Sequence, residues 1–168
     1  SYEEVGRKML ECTGGNKAVV YEFMKRLIIN FLIQNGDYHL KNISLQVLNP
    51  APEMIFDGMT PNYDSLNTRL YMKNENVFAL DFLANKEFTP EYEKLGFYTK
   101  ADFFELGKRI GINRNSIDEI ISHIMIRENE IRALIEASYL SSSLKETYSS
   151  LLFERMDILK NYSAASSK

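Results

Sequence analysis

One cysteine, Cys12, stands alone among the 168 residues, so no internal disulfide can form, and a reducing cytoplasm is the compartment that fits. Nothing approaches the ~20 apolar residues of a membrane span; the longest apolar run, Leu27 to Ile33, is broken by Asn30. Nor does a signal-peptide pattern open the chain. A net charge of -3 with a pI near 5.5 removes any general attraction for nucleic acid or an anionic membrane surface. No segment repeats another. What is present suits a packed core: 45% of residues are hydrophobic and 12% aromatic, too many for a disordered chain. One domain is expected over residues 1–162, followed by a tail, 163–168, that should fray.

The residues that carry chemistry concentrate in Asn35-Gly36-Asp37-Tyr38-His39-Leu40-Lys41-Asn42-Ile43-Ser44. An acid, an imidazole, a cation and a carboxamide fall within six positions. Phosphoryl transfer needs a carboxylate to hold the acceptor hydroxyl, oxygen ligands for Mg²⁺ and positive charge near the moving group. Asp37, Asn42 and Lys41 supply these in turn. Upstream, Val20, Phe23, Met24, Leu27, Ile28, Phe31 and Leu32 recur every three or four residues, which predicts a largely buried helix from Val19 to Gln34, closed by Asn35-Gly36. Downstream, the alternating, partly β-branched run from Ile43 to Leu48 predicts a short strand.

A second acid should follow, because a kinase metal is shared between the loop Asn and a later Asp. Met54 to Met59 is expected to pair antiparallel with the first strand across the turn at Asn49-Pro50-Ala51-Pro52. It leads into Thr60-Pro61-Asn62-Tyr63-Asp64-Ser65-Leu66, which brings Asp64 back to the level of Asn42. Mg²⁺ usually takes only one or two ligands from protein, so Asn42 and Asp64 suffice. Tyr63 is read as a core residue.

Taken singly, these features have plainer readings: Asn-Gly-Asp is a turn signal, His39 a structural histidine, Lys41 a solvated cation. It is the two spaced motifs together that resemble a family, the HipA-like serine/threonine kinases, which are bacterial toxins of toxin–antitoxin systems. The family's loop has the form Gly-Asn-x-Asp-x-His-x-Lys-Asn-x-Ser, which this chain follows from Asp37 onward; the departure lies before it, at Gln34-Asn35-Gly36. The later motif, Leu-x-Pro-x-Tyr-Asp-x-Leu, is matched by Met59 to Leu66. The resemblance implies a protein-kinase-like C-terminal lobe, α+β and mostly α, with short antiparallel hairpins beside the catalytic loop. It implies ATP and Mg²⁺ as cofactors, Asp37 as catalytic base, Asn42 and Asp64 as metal ligands, and Lys41 as a phosphate contact. His39 corresponds to the family's loop histidine and is read as a packing and hydrogen-bonding brace. An antitoxin protein and a protein substrate, for some members an aminoacyl-tRNA synthetase, are the implied partners.

The other elements fill out the lobe. Ser1 with Glu4 has capping-box spacing and predicts a helix from the first residues, with Gly14-Gly15 as the loop after it. Thr68 to Met72 and Val77 to Phe82 read as a small hairpin. Thr99 with Asp102 starts a helix carrying Phe103, Phe104, Leu106 and Ile110. Asn115 with Asp118 starts a longer one whose stripe runs Ile117, Ile120, Ile121, Ile124, Ile131, Leu134 and Ile135. Ser143 with Glu146 starts the last, facing inward through Leu144, Tyr148, Leu151, Leu152 and Leu159. Residues 101–121 have the rhythm of a helix-turn-helix, but Asp118 and Glu119 at the start of the second helix would meet DNA phosphates with like charge. They are read as two packed helices.

A glycine-rich loop and a strand lysine, which close a kinase site over the phosphates, are missing from these residues. Residue 1 is Ser, and the expectation is a piece of a longer product. Two functions follow from different classes. One is the catalytic, Mg²⁺-binding lobe of an ATP-dependent protein serine/threonine kinase. The other is a non-catalytic binding module, or half of a two-part kinase whose nucleotide-clamping lobe sits on another chain.

Overall fold

The computed structural model describes residues 1–48 and 55–162. Seven α-helices run through them: α1 (Tyr2–Cys12), α2 (Lys17–Leu32), α3 (Pro90–Leu95), α4 (Lys100–Arg109), α5 (Arg114–Met125), α6 (Glu128–Ala137) and α7 (Ser142–Asn161). Two short strands, β1 (Leu45–Gln46) and β2 (Gly58–Met59), pair antiparallel, with Leu45 opposite Met59 and Gln46 opposite Gly58. The lobe is α+β and mostly α, and no helix among the described residues is long and apolar enough to cross a membrane.

α2 is the axis of the core. Asn16 caps its start by accepting from the Ala18 amide at 3.1 Å. Val20, Phe23, Met24, Leu27, Ile28 and Phe31 are wholly buried, with α1, α5 and α7 packed around them. Burying each such side chain contributes roughly 1.5–3 kcal/mol, whereas an exposed ion pair gives ~0–1. The apolar stripe therefore decides where α2 lies. An aromatic cluster ties α1, α2 and α4 to the segment before α3: Phe78 meets Tyr2 edge-on at 5.4 Å and Tyr98 at 4.9 Å, and stacks on Phe31 at 5.8 Å. At Gly6 an added Cβ would fall 2.8 Å from the Ile110 side chain, so α1 approaches the end of α4 only because glycine is there.

The expected capping boxes at Ser1/Glu4 and Thr99/Asp102 are both formed. So is the first hairpin, shorter than its sequence pattern; its turn at Asn49 to Pro52, and Met54, lie outside the described residues. The second expected hairpin is absent. Thr68–Leu70 instead winds a 3-10 turn capped by Asn67, and Tyr71 and Met72 donate back to the Thr68 carbonyl at 3.0 and 2.9 Å. Beyond it, Phe78 and Phe82 are both drawn into the aromatic cluster, and the backbone from 77 to 83 follows them without a ladder.

The long helix expected from Asn115 is two. α5 starts two residues earlier, capped by Asn113, and ends before Arg127; α6 then starts afresh, which turns Ile135 onto the core and leaves Leu134 72% exposed. Likewise α7 is capped by Ser141 rather than Ser143, and Met156 joins Leu152 and Leu159 on its buried face. The short α3 was unforeseen, although Thr89 as cap, Pro90 at the first position and left-handed Gly96 (φ 76°) are its ordinary signals. α4 and α5, the helix-turn-helix-like pair, pack closely: the Gly107 position has no room for a Cβ beside the Ile117 side chain, and Gly111 (φ 83°) makes the turn.

Candidate functional site

The loop begins where α2 runs out. Leu32 is its last helical residue, and the left-handed position is Gln34 (φ 54°), not Asn35 or Gly36 as the sequence pattern suggested. Left-handed backbone favours glycine, and Gln34 stands where the loop pattern quoted above has one. Asn35 fills that pattern's Asn position, so the departure narrows to Gln34. Gln34 is held from both ends: its side chain donates to the Leu151 carbonyl of α7 at 2.7 Å, and its own carbonyl accepts from the Thr68 hydroxyl at 3.2 Å.

Asn35 is buried and organises the site. Its Oδ1 accepts from the Asp37 amide at 3.1 Å; its Nδ2 donates to Asn30 Oδ1 at 2.8 Å and to the Asp64 carbonyl at 3.1 Å. One carboxamide thus joins the backbones of both predicted acids to the core helix. Gly36 is needed for a different reason, close approach: a Cβ there would sit 2.6 Å from the Asn76 carbonyl and collide with Glu75. Its amide donates to the Thr68 hydroxyl at 2.9 Å, and that hydroxyl also contacts Glu75.

Past Gly36 the chain turns tightly, with the His39 amide bonded to the Asp37 carbonyl at 2.8 Å, and Leu40–Asn42 forms a 3-10 turn. Asp37 is exposed, while Tyr38 is buried and anchored through its carbonyl, which accepts from Tyr2 at 2.8 Å. Burial pushes the Tyr38 phenol far above its ordinary pKa. Asn42 is buried too. Its Nδ2 donates to the Asp37 carbonyl at 3.0 Å, and its Oδ1 has no partner among the described residues.

The second motif is clamped onto the first. The Tyr63 hydroxyl donates to the Lys41 carbonyl at 2.8 Å and lies 2.8 Å from the Ser44 hydroxyl. Tyr63 is 41% exposed, so it is a bridge between the two segments and not the core residue expected. Next to it, Asp64 is exposed and adopts φ 55°. A non-glycine residue in that region costs on the order of 1 kcal/mol and persists only where its surroundings demand it. Here the Asn35 bond to its carbonyl and the Tyr63 clamp fix it.

His39 does not brace the loop by hydrogen bonding. Its Nδ1 is buried without a partner, and its Nε2 stands 3.6 Å from Asp37 Oδ1, too far for a hydrogen bond. It remains the nearest cationic candidate to that carboxylate. Lys41 is exposed, with no partner for its ammonium among the described residues.

The structure therefore gathers Asp37, His39, Lys41, Asn42 and Asp64 at one edge of the lobe. Sequence reasoning missed Asn35, Thr68 and Glu75; only Asn35 had a signal, its place in the motif. The Asn42 carbonyl oxygen and the exposed carboxylates of Asp37 and Asp64 are hard oxygens, the chemistry Mg²⁺ prefers, while no group of three His, Cys, Asp or Glu side chains converges among the described residues. A cavity of about 960 Å³ lies elsewhere, between α2, α5, α6 and α7, and its lining is mostly apolar.

Comparison with known proteins identifies the family. Over 151 residues the chain is 28% identical to a Haemophilus influenzae protein named "Putative kinase", an alignment covering 83% of this chain and 42% of that protein. Over 87 residues it is 38% identical to "Putative kinase Y4dM" of Sinorhizobium fredii, covering 52% of this chain and 20% of the relative. The chain thus spans less than half the length of either. The model of the HipA-like C-terminal domain matches residues 1–130, from α1 to the start of α6 and across both motifs. With the loop, the clamp and that match in hand, the chain belongs to the HipA-like C-terminal domain family.

Proposed function

We propose that this lobe is the catalytic and Mg²⁺-binding half of an ATP-dependent protein serine/threonine kinase. The observation that carries the reading is Asn35, whose buried carboxamide links the Asp37 amide to the Asp64 carbonyl and so builds the two acids into one site. Asp37, exposed at the loop's edge, orients the acceptor hydroxyl and takes its proton. Asn42 Oδ1 and the Asp64 carboxylate hold the metal, which when bound neutralises charge on the transferring phosphoryl group. Lys41 extends a free cation toward the nucleotide phosphates.

The glycine-rich loop and strand lysine belong, in this reading, to the portion of the protein outside these 168 residues. Family resemblance extends the proposal to a bacterial, cytoplasmic toxin–antitoxin kinase that is held by an antitoxin protein and modifies a protein such as an aminoacyl-tRNA synthetase. A binding module awaiting a clamping lobe on a partner chain is the second reading. The glycine-rich loop and strand lysine missing from these 168 residues favour it. An upstream glycine-rich loop in the same reading frame selects the first.

The test uses the full-length protein. Asp37→Asn should leave fold and ATP affinity nearly unchanged while phosphoryl transfer falls about 10²–10⁴-fold. Asp64→Asn should weaken Mg²⁺-dependent ATP binding as well, because a charged ligand becomes neutral. Near-normal turnover in Asp37→Asn would contradict the assignment.

A further inference from the structure

Next to the start of the loop, at Gln34, lies a small cavity of about 90 Å³ lined by Phe31, Gln34, Arg69, Glu75, Asn76, Val77 and Arg155. Two guanidinium groups from distant parts of the chain meet there. Arg69 belongs to the 3-10 turn after the second motif and is held by Nη1 on the Glu75 carbonyl at 2.8 Å. Arg155 comes from α7, lies over the Phe31 ring at 4.8 Å, and has a buried Nε with no partner.

Two half-buried guanidinium groups lining one cavity, neither in an ion pair among the described residues, are unusual. A buried charge is costly unless paired, and the guanidinium fork is shaped to accept two oxygens of one oxyanion. Glu75 does not serve: it contacts the Thr68 hydroxyl and makes no ion pair with either arginine. Burial above all, with the neighbouring Arg69, holds the Arg155 guanidinium below its ordinary pKa, and Glu154, which pulls the other way without making an ion pair, does not offset it. The volume equals roughly three waters' share of liquid, enough for one small tetrahedral group and far too little for a nucleotide.

We infer that Arg69 and Arg155 form a binding site for a phosphate group, separate from the Asp37–Asn42 loop and joined to its start through Gln34. The ligand is either free inorganic phosphate or the phosphate of a phosphorylated serine or threonine side chain. Its occupancy is felt at the loop, because Gln34 and Glu75, which line the cavity, are the residues that fix Gly36 through Thr68. The inference stands apart from the kinase assignment, since phosphate would bind this pocket whether or not the loop is catalytic.

Nuclear magnetic resonance of the Arg Nε–H groups during titration with inorganic phosphate, and separately with phosphoserine, tests it. The expected result is saturable shifts of the Arg155 and Arg69 Nε–H signals, followed by shifts of the Gly36 amide, in both wild type and Lys41→Gln. Chloride at equal ionic strength should produce none. Arg155→Gln and Arg69→Gln should each weaken phosphate binding about tenfold or more. Tighter binding of phosphoserine than of phosphate identifies a modified side chain as the source; the reverse identifies the free ion. If Arg155 Nε–H does not respond in the wild-type protein, or if Lys41→Gln abolishes the response while Arg155→Gln keeps it, the inference is overturned.

Discussion

Asn35 carries more of this site than any residue that performs chemistry. Its side chain satisfies the Asp37 amide, the Asp64 carbonyl and Asn30 Oδ1, the last of these in the core and the other two part-buried. Asn35→Ala would leave three polar groups unpaired, and each such group costs roughly 1–3 kcal/mol when water cannot replace the bond. Because the loop is partly wetted, we expect a loss of about 2–3 kcal/mol in urea unfolding, together with a fall in phosphoryl transfer at least as large as that of Asp64→Asn. Tyr63→Phe separates position from stability. The hydroxyl it removes bridges exposed groups, so stability should change by less than ~1 kcal/mol. The Mg²⁺ requirement of the full-length protein should nevertheless rise about tenfold, because Asp64 loses the clamp beside it. An unchanged Mg²⁺ dependence would show that Tyr63 is ornamental to the site.

At the scale of elements, the first turn of α4 is the most concentrated polar structure in the core. Asp102 is fully buried and accepts from the Thr99 amide at 2.6 Å and the Thr99 hydroxyl at 3.0 Å, while its other oxygen takes the Thr89 hydroxyl at the start of α3. One carboxylate thus caps α4 and docks α3. Asp102→Ala should cost about 3 kcal/mol, well above an exposed N-cap's ~1, and Asp102→Asn less. Thermal unfolding of the two variants measures the difference.

Such local arrangements are the ones legible in sequence. The Thr99/Asp102 and Ser1/Glu4 spacings and the α2 stripe depend on residues three or four apart, and they appear as read. The segment from Thr68 to Phe82 was misread because its alternation of apolar residues serves a cluster of rings from α1, α2 and α4, not a neighbouring strand. The break between α5 and α6 is equally a tertiary matter: continuous helix would carry Ile131 and Ile135 away from α7. In the site, Asp37, Lys41, Asn42 and Asp64 were visible because their chemistry is written in one short run and one later motif. The Asn35 tie was not, since nothing local announces that residue 64 will pass within a hydrogen bond of residue 35.

For the whole molecule, the buried phenols set the alkaline limit. Tyr2, Tyr38 and Tyr98 all have pKa values raised, in each case chiefly by burial. An acid whose folded-state pKa lies above its unfolded value near 10 stabilises the fold fully below that pH, and the contribution is lost as pH rises beyond it, where only the unfolded chain ionises. The urea midpoint should therefore be flat up to about pH 10 and then fall, with tyrosinate absorbance appearing in step with unfolding. A smooth titration of all phenols in the folded protein would contradict this packing. The chain by itself should also turn over ATP poorly, since nothing in its described residues closes over the phosphates from the side opposite the loop.

The central claim is that Asn42 and Asp64, held together by Asn35 and Tyr63, bind one divalent cation. Paramagnetic broadening by Mn²⁺ in the presence of ATP reads this residue by residue. The account predicts that amides from Asp37 to Ser44 and from Tyr63 to Ser65 broaden first in the wild-type chain, and that Asp64→Asn removes the effect while leaving the rest of the spectrum intact. Broadening centred on another acidic surface, or undiminished at the loop in Asp64→Asn, would contradict it.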